Sequence, residues 1–349
     1  MRYKTTVGYD VAVVGATGIV GEMILQLLYE RRFPIGKIYP LASKRSEGKS
    51  VFFGKKRKKV SNLANFDFSK VELAFFSAGA ERSAEYALRA VEAGCVIVDN
   101  TSYFRHDPDI PLVVPEVNGP SLGGYRNRNI IANPNCSTIQ MLVALKPIYD
   151  AVGILRINVA TYQSVSGAGR QAIKELAKQT AHFLNGQLME SSVFPSQIAF
   201  NAVPQIDVFE ENGYSKEEMK MVWETQKILD DPNIGVNPTA VRIPVFFGHS
   251  EAVHIETRDP ISVEEVKECL SHAPGVILID EDNAYPTVIS HAANADAVFV
   301  GRIRQDISHP NGLNLWIVAD NIRKGAALNA VQIAEMLISK NFYVHSMFH

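Results

Sequence analysis

Cysteine is scarce in this chain and scattered: Cys95, Cys136 and Cys269 are the only three in 349 residues. An odd number at such wide spacing excludes a disulfide framework and a clustered zinc site, and it implies a reducing, cytoplasmic setting. Excess charge of one sign is lacking too. Thirty-five basic residues against 37 acidic ones leave a formal net charge of -2, which gives no reason to expect a nucleic acid or an anionic membrane surface as partner. No stretch is apolar over the roughly 18 residues that a membrane span requires, and Met1 to Val7 lacks the apolar run of a secretion signal. What is there is a 46% hydrophobic chain, long enough for two domains and a sizeable core, with small molecules as the expected partners.

The opening pattern predicts a nucleotide site. Tyr9 to Val14 is short and β-branched, as a buried parallel strand should be, and it runs into Gly15-Ala16-Thr17-Gly18-Ile19-Val20-Gly21 and then a helical pattern from Glu22 to Leu28. A turn without side chains lets a pyrophosphate approach backbone N–H groups at a helix amino terminus, where the dipole favours anions. The glycines fall as G-x-x-G-x-x-G, so the middle one comes a residue late for the G-x-G-x-x-G fingerprint. After the next strand, Lys37 to Ala42, an NAD site usually carries an acid; here Ser43-Lys44-Arg45-Ser46 offers Arg45 and Ser46 for the 2′-phosphate of NADP. The basic run Lys55 to Lys59 reads as a soluble edge hairpin. Strands at Val71 to Phe76, Val96 to Val98 and Asn129 to Ala132 alternate with a helix from Glu81 to Ala93, which predicts a Rossmann-like, doubly wound parallel sheet. In the loop after Val98, Arg105 either holds a phosphate or carboxylate or pairs with Asp107 or Asp109.

The most informative turn is Asn133-Pro134-Asn135-Cys136-Ser137-Thr138, between a strand and a helix from Thr138 to Tyr149. A cysteine at a helix amino terminus has its thiolate stabilised by free N–H groups and the macrodipole. Cys95 and Cys269 read as buried and inert. From about Gly153 longer strands predict a second, α+β domain with a largely antiparallel sheet. Ile154 to Ser164 is one strand, followed by the loop Gln163 to Gly169 and a helix from Arg170. Ser215 and Ser262 begin helices with capping-box spacing. On the first of these Glu224 and Lys227 share a face, either as site residues or as a surface ion pair. Arg242 and His249, seven residues apart, fall on opposite faces of a straight strand, so their convergence calls for a bend at Pro244 or Gly248. Asn321 to Ser339 reads as one helix that returns to the first domain. The expected division is 1–136, completed by a carboxyl-terminal helix 321–349, and 137–320.

On these segments, together with Phe104-Arg105, Pro111 to Asn118, Arg242 to Glu251 and Asp320 to Ala327, the whole chain resembles the aspartate-semialdehyde dehydrogenases. The resemblance implies an NADPH-dependent oxidoreductase that converts L-aspartyl 4-phosphate to L-aspartate 4-semialdehyde and inorganic phosphate on the way to lysine, threonine and methionine, as a homodimer or higher oligomer. It implies Cys136 as the nucleophile that becomes a thioester, His249 as its proton acceptor, and Gln163 and Arg242 as substrate-orienting residues, Arg242 on the α-carboxylate. Glu224 is implied at the substrate amino group, Arg105 and Lys227 at the phosphate, and Thr17, Gly18, Ile19, Val20, Arg45, Ser46, Ser166, Gly167 and Asn321 at the cofactor. No metal is implied. Two rivals share the plan: a reductase for N-acetyl-glutamyl phosphate or glyceraldehyde phosphate, whose cysteine contexts differ, and a noncatalytic NADP-binding protein.

Overall fold

A computed structural model describes residues 8–187, 190–281 and 284–339; the part of the expected terminal helix beyond residue 339 lies outside them. The chain divides into two compact units, Met1–Pro134 with Ala326–His349, and Asn135–Gly325. Among the described residues no helix is long and apolar enough to cross a membrane.

In the first unit the strands β1 (Tyr9–Val14), β2 (Ile35–Ala42), β5 (Ser61–Asn62), β6 (Leu73–Phe76), β7 (Val96–Asp99) and β8 (Ile130–Ala132) form one parallel sheet. Between β2 and β5, β3 (Ser50–Phe53) and β4 (Lys56–Lys59) make a separate antiparallel hairpin, which is where the basic run goes. The six strands lie in the order β5-β2-β1-β6-β7-β8, the doubly wound order in which the chain reverses direction beside the first strand. Residues 11–14 and 73–76 are buried on both faces, as strands covered by helices on both sides must be. The helices are α1 (Ile19–Glu30), α2 (Ala80–Glu92) and the short α3 (Pro115–Asn118). Leu328, Val331 and Leu337, from near the carboxyl terminus, complete the core around Val11, Leu25 and Phe75.

Two glycines make the β1 to α1 turn possible. Gly15 has φ +86, and a Cβ there would fall 2.7 Å from the Ser77 carbonyl oxygen; a Cβ on Gly21 would fall 2.2 Å from the Gly15 oxygen. The third glycine of the motif therefore serves the packing of helix on strand.

The second unit runs α4 (Cys136–Val152), β9 (Ile154–Gln163), α5 (Arg170–Leu184), α6 (Lys216–Leu229), β10 (Gly235–Arg242), β11 (His249–Thr257), α7 (Val263–Ser271), β12 (Val276–Leu278), β13 (Val298–Gln305) and β14 (Gly312–Ala319). Its sheet has the order β10-β9-β11-β14-β13-β12. The outermost pairs are parallel and the three inner pairs antiparallel. α4, buried from Ser137 to Leu145, packs on the central strands. Both serine capping boxes form, Ser215 with Glu218 and Ser262 with Glu265.

Two expectations change. Arg242 and His249 do not share one bent strand: Arg242 ends β10 and His249 begins β11, and the connection between them carries Gly248 at φ +83. Nor does one helix span Asn321 to Ser339. Asn321 sits in a turn, a wide π-type turn covers Arg323–Ala327, and only then does α8 (Leu328–Ser339) begin. Cys269 also differs from expectation, being half-buried, whereas Cys95 is buried.

Gly21→Ala is expected to destabilise the fold by about 1–3 kcal/mol through overpacking, whereas Gly123→Ala, whose Cβ would meet nothing within 4 Å, should leave stability unchanged or slightly raised. Urea denaturation of the two variants checks this.

Candidate active site

In the second unit the site grows from one register. Gln163, the last residue of β9, pairs with Arg242 on the parallel side and with His249 on the antiparallel side. Three polar side chains thus stand in a row across β10, β9 and β11, and all three are buried. Convergence needs no bend, because neighbouring strands replace one strand's alternation.

The row is tied together by side chains. The Gln163 carbonyl accepts from the Thr161 hydroxyl at 3.0 Å, and its amide donates to Glu217 Oε1 at 3.2 Å. Arg242 Nη1 donates to the Ser164 carbonyl at 2.7 Å. His249 Nδ1 accepts the backbone N–H of Ser164 at 3.1 Å and lies 3.2 Å from the Ser164 hydroxyl. Two donor groups face the ring, the Ser164 N–H at Nδ1 and, farther off at 3.4 Å, the Gln163 amide nitrogen at Nε2; the shorter contact, from a fixed backbone amide, assigns the lone pair to Nδ1 and the hydrogen of the neutral ring to Nε2. Burial, reinforced by the Arg242 charge, pushes the imidazole down to about 3, so the ring is neutral near pH 7.

Cys136 enters from α4. Asn135 caps that helix, its side-chain oxygen accepting from the Ser137 N–H at 2.8 Å. The Asn135 side-chain amide donates to Glu217 Oε1 at 2.8 Å, and its backbone N–H donates to Glu224 Oε2 at 2.6 Å. Cys136 follows as the first helical residue, half-buried, placed so that a thiolate there would act on the Arg242 guanidinium. A Cβ on Gly325 would meet the Cys136 Cβ at 2.8 Å, and one on Gly167 would lie 2.9 Å from Arg242 Nη1 and 3.6 Å from the His249 ring. Both glycines therefore leave room that the reactive side chains fill. Asn321 stands behind, accepting from the Gly248 N–H at 2.9 Å and donating to the Ser166 hydroxyl at 3.0 Å.

In the first unit the α1 amino terminus has Gly18 as its cap and no side-chain hydrogen bond to it, which leaves Thr17 to Val20 lining a turn of main-chain donors. Arg45 and Ser46 form a single 3-10 turn after β2. Ser43, Lys44, Arg45, Asn62, Arg82 and Tyr86 line a cavity of about 550 Å³ there. Arg105 is buried and donates to the Asn100 carbonyl at 3.0 Å, while Asp107 and Asp109 lie 4.0 Å and 3.8 Å from Arg128.

The semialdehyde dehydrogenase NAD binding domain matches residues 10–124, and the semialdehyde dehydrogenase dimerisation domain matches residues 145–324. The aspartate-semialdehyde dehydrogenase of Legionella pneumophila is 64% identical over 330 residues, which is 94% of this chain and 95% of the relative. The chain belongs to the aspartate-semialdehyde dehydrogenase family. Among solved structures, the Vibrio cholerae aspartate semialdehyde dehydrogenase II complexed with ASA has a TM-score of 0.94 at 61% identity, covering 95% of this chain and 98% of that one. The Candida albicans enzyme with NADP has a TM-score of 0.75 at 25% identity, covering 96% and 99%. The chain is accordingly an oxidoreductase with a pyridine-nucleotide binding domain.

In this dehydrogenase helix α6 carries one buried carboxylate that the sequence reading names and one that it does not. Glu224 is buried and braces the backbone of Asn135. Glu217, two turns earlier and not singled out, is the carboxylate that meets both Gln163 and Asn135. Lys220 bridges it to Asp207, at 3.1 Å and 3.0 Å. Burial would raise the Glu217 carboxyl, but Lys220, Asn135 and Gln163 outweigh it and hold it down to about 2. The signal for Glu217 and Lys220 was the same i,i+3 spacing as for Glu224 and Lys227. The two pairs lie seven residues apart, close to one face of α6, so which of them stands at the β-sheet row depends on where along the helix the row falls, which spacing alone does not set.

The site makes stability pH-dependent, with the sign fixed by both groups. The unfolded imidazole takes up a proton below its ordinary 6.5 while the folded one resists until about 3, so stability falls as pH drops through that window. Glu217 adds a second loss between its ordinary 4.5 and about 2. These two groups therefore favour a decline below pH 6.5, which Glu251, its buried carboxyl raised well above the usual range, opposes above pH 4.5; the sign is read in the difference, the melting temperature of His249→Asn rising relative to that of the unsubstituted protein as pH falls from 6.5 to 4.5. Melting scans of both proteins check it; an equal slope in the variant contradicts it.

Proposed function

We propose that the chain catalyses the NADPH-dependent reductive dephosphorylation of L-aspartyl 4-phosphate to L-aspartate 4-semialdehyde, in the cytoplasm, on the route to lysine, threonine and methionine. The observation that carries the reading is the row Arg242, Gln163, His249 beside the capped helix end that bears Cys136.

Cys136 attacks the acyl carbon as a thiolate, supported by the helix amino terminus and the Arg242 charge. The carbon–oxygen bond to phosphate breaks, and inorganic phosphate leaves toward Arg105 and Lys220, the latter taking the role that the resemblance implied for Lys227. Arg242 grips the substrate α-carboxylate, Glu217 in place of Glu224 receives its ammonium group, and Gln163 orients the acyl group. NADPH, when bound, supplies hydride to the thioester carbon. His249 then donates its Nε2 hydrogen bond to the oxyanion of the tetrahedral adduct, rather than accepting a proton there. The balance agrees: collapse of the adduct regenerates the Cys136 thiolate, and the released phosphate takes its proton from water.

The cofactor fits the residues present. The uncapped α1 terminus suits a pyrophosphate, and the Arg45 cavity, with Lys44 and Arg82 against the single acid Glu47, suits a 2′-phosphate. Ser46, Ser166, Gly167 and Asn321 are proposed to complete the cofactor contacts. For the homodimer, the face of the second sheet opposite α4 offers exposed Tyr162 and Tyr285 beside Trp316.

Aspartate semialdehyde, NADP and phosphate added to the purified chain should produce phosphate-dependent NADPH absorbance, and Cys136→Ala should lower the rate by about a thousandfold or more. No absorbance change, or turnover of N-acetylglutamate semialdehyde or glyceraldehyde 3-phosphate in its place, defeats the reading. Arg45→Ala should cut the preference for NADP over NAD by on the order of tenfold, read from kcat/KM with each nucleotide; an unchanged ratio removes Arg45 from the site.

A further inference from the structure

The proposed chemistry leaves one buried titratable group without a task. Glu251 lies two residues after His249 on β11 and is fully buried. Alternation along a strand puts the two side chains on the same face. Gln140, also fully buried, lies four residues after Cys136 on α4, again on one face of its element. Four helical residues advance about 6 Å and two strand residues about 6.7 Å. Gln140 and Glu251 therefore stand one step behind Cys136 and His249, on two elements that pack together.

Both oxygens of Glu251 and both polar atoms of Gln140 are buried with no hydrogen-bond partner at regular geometry. Burial pushes the Glu251 carboxyl well above the usual range, and the facing Gln140 amide is the group that acts the other way; no cation contributes. The cross-strand neighbours are Thr161, whose hydroxyl is given to Gln163, and apolar Ile317.

We infer that Glu251 is a neutral carboxylic acid joined at two points to the Gln140 carboxamide, and that this pair is a positioning latch holding α4 against β11 and so setting the Cys136 thiol relative to the His249 ring. The acid O–H donates to Gln140 Oε1 while Gln140 Nε2 donates to the acid carbonyl. A carboxylate cannot close this ring, because its oxygens and Gln140 Oε1 are all acceptors.

Infrared difference spectra of the intact protein, wild type minus Glu251→Gln, test the protonation directly. A carboxylic-acid carbonyl band at neutral pH, lost in the variant, is expected; its absence overturns the inference. The positioning role rests on the catalytic reading above. Glu251→Gln, which keeps a two-point pair as amide to amide, should retain kcat, whereas Glu251→Leu should lower kcat per folded site by roughly 10- to 100-fold with KM little changed. A role confined to stability would lower only the melting temperature. Equal loss in both variants, or an undiminished kcat in Glu251→Leu, overturns the latch. Should Glu251→Leu fail to fold, the infrared band and the Glu251→Gln rate still decide. Failure of the catalytic reading would show separately, as full activity in Cys136→Ala with the infrared band intact.

Discussion

The second unit depends on the register at Gln163. Because β10 runs parallel to β9 and β11 antiparallel to it, one residue is flanked by the end of one strand and the start of the next. A guanidinium, an amide and an imidazole are thereby set side by side by main-chain hydrogen bonds, each strand spacing being about 4.8 Å. A slip of a single residue would turn any of the three to the opposite face of the sheet. The ladder, rather than loop flexibility or side-chain length, fixes the geometry.

Burying such a set is expensive unless its members satisfy one another. They do so economically here. Glu217 is the hub: one oxygen receives Asn135 and Gln163, the other receives Lys220. Asn135 in turn caps the helix that carries Cys136, so helix termination and site electrostatics share one side chain. Glu224 contributes from the same helix α6 by holding the Asn135 backbone. The elements that present the site are thus braced by polar contacts as well as by apolar packing.

Much of this was legible in the residues. Alternation of short apolar runs with helical patterns exposed the parallel sheet, since strands buried on both faces leave that imprint. The cysteine turn could be read because Asn, Pro and Ser at a helix start have local physical meanings. What could not be read was position along a helix axis. Glu217 and Glu224 sit on one helix with identical spacing to a lysine, and only the packing of α6 against β10 tells them apart. The chemistry of Arg242 and His249 suggests their partnership, but the residues alone call for a bend, because the order and sense of strands in a sheet are tertiary properties. The terminal segment reads as one helix since its apolar spacing continues through the π-type turn at Arg323–Ala327, although Asn321 is drawn out of it by Gly248 and Ser166.

The tautomer of His249 is written in main chain. The donor that occupies Nδ1 is the Ser164 amide nitrogen, a group every residue except proline possesses. Substituting the serine side chain would leave the hydrogen on Nε2 where it is, so mutation of the neighbouring side chain alone offers little purchase on the polarity of the ring. Evolution can discard the imidazole in one step, but reversing which of its nitrogens donates would require rebuilding the strand end on which it rests.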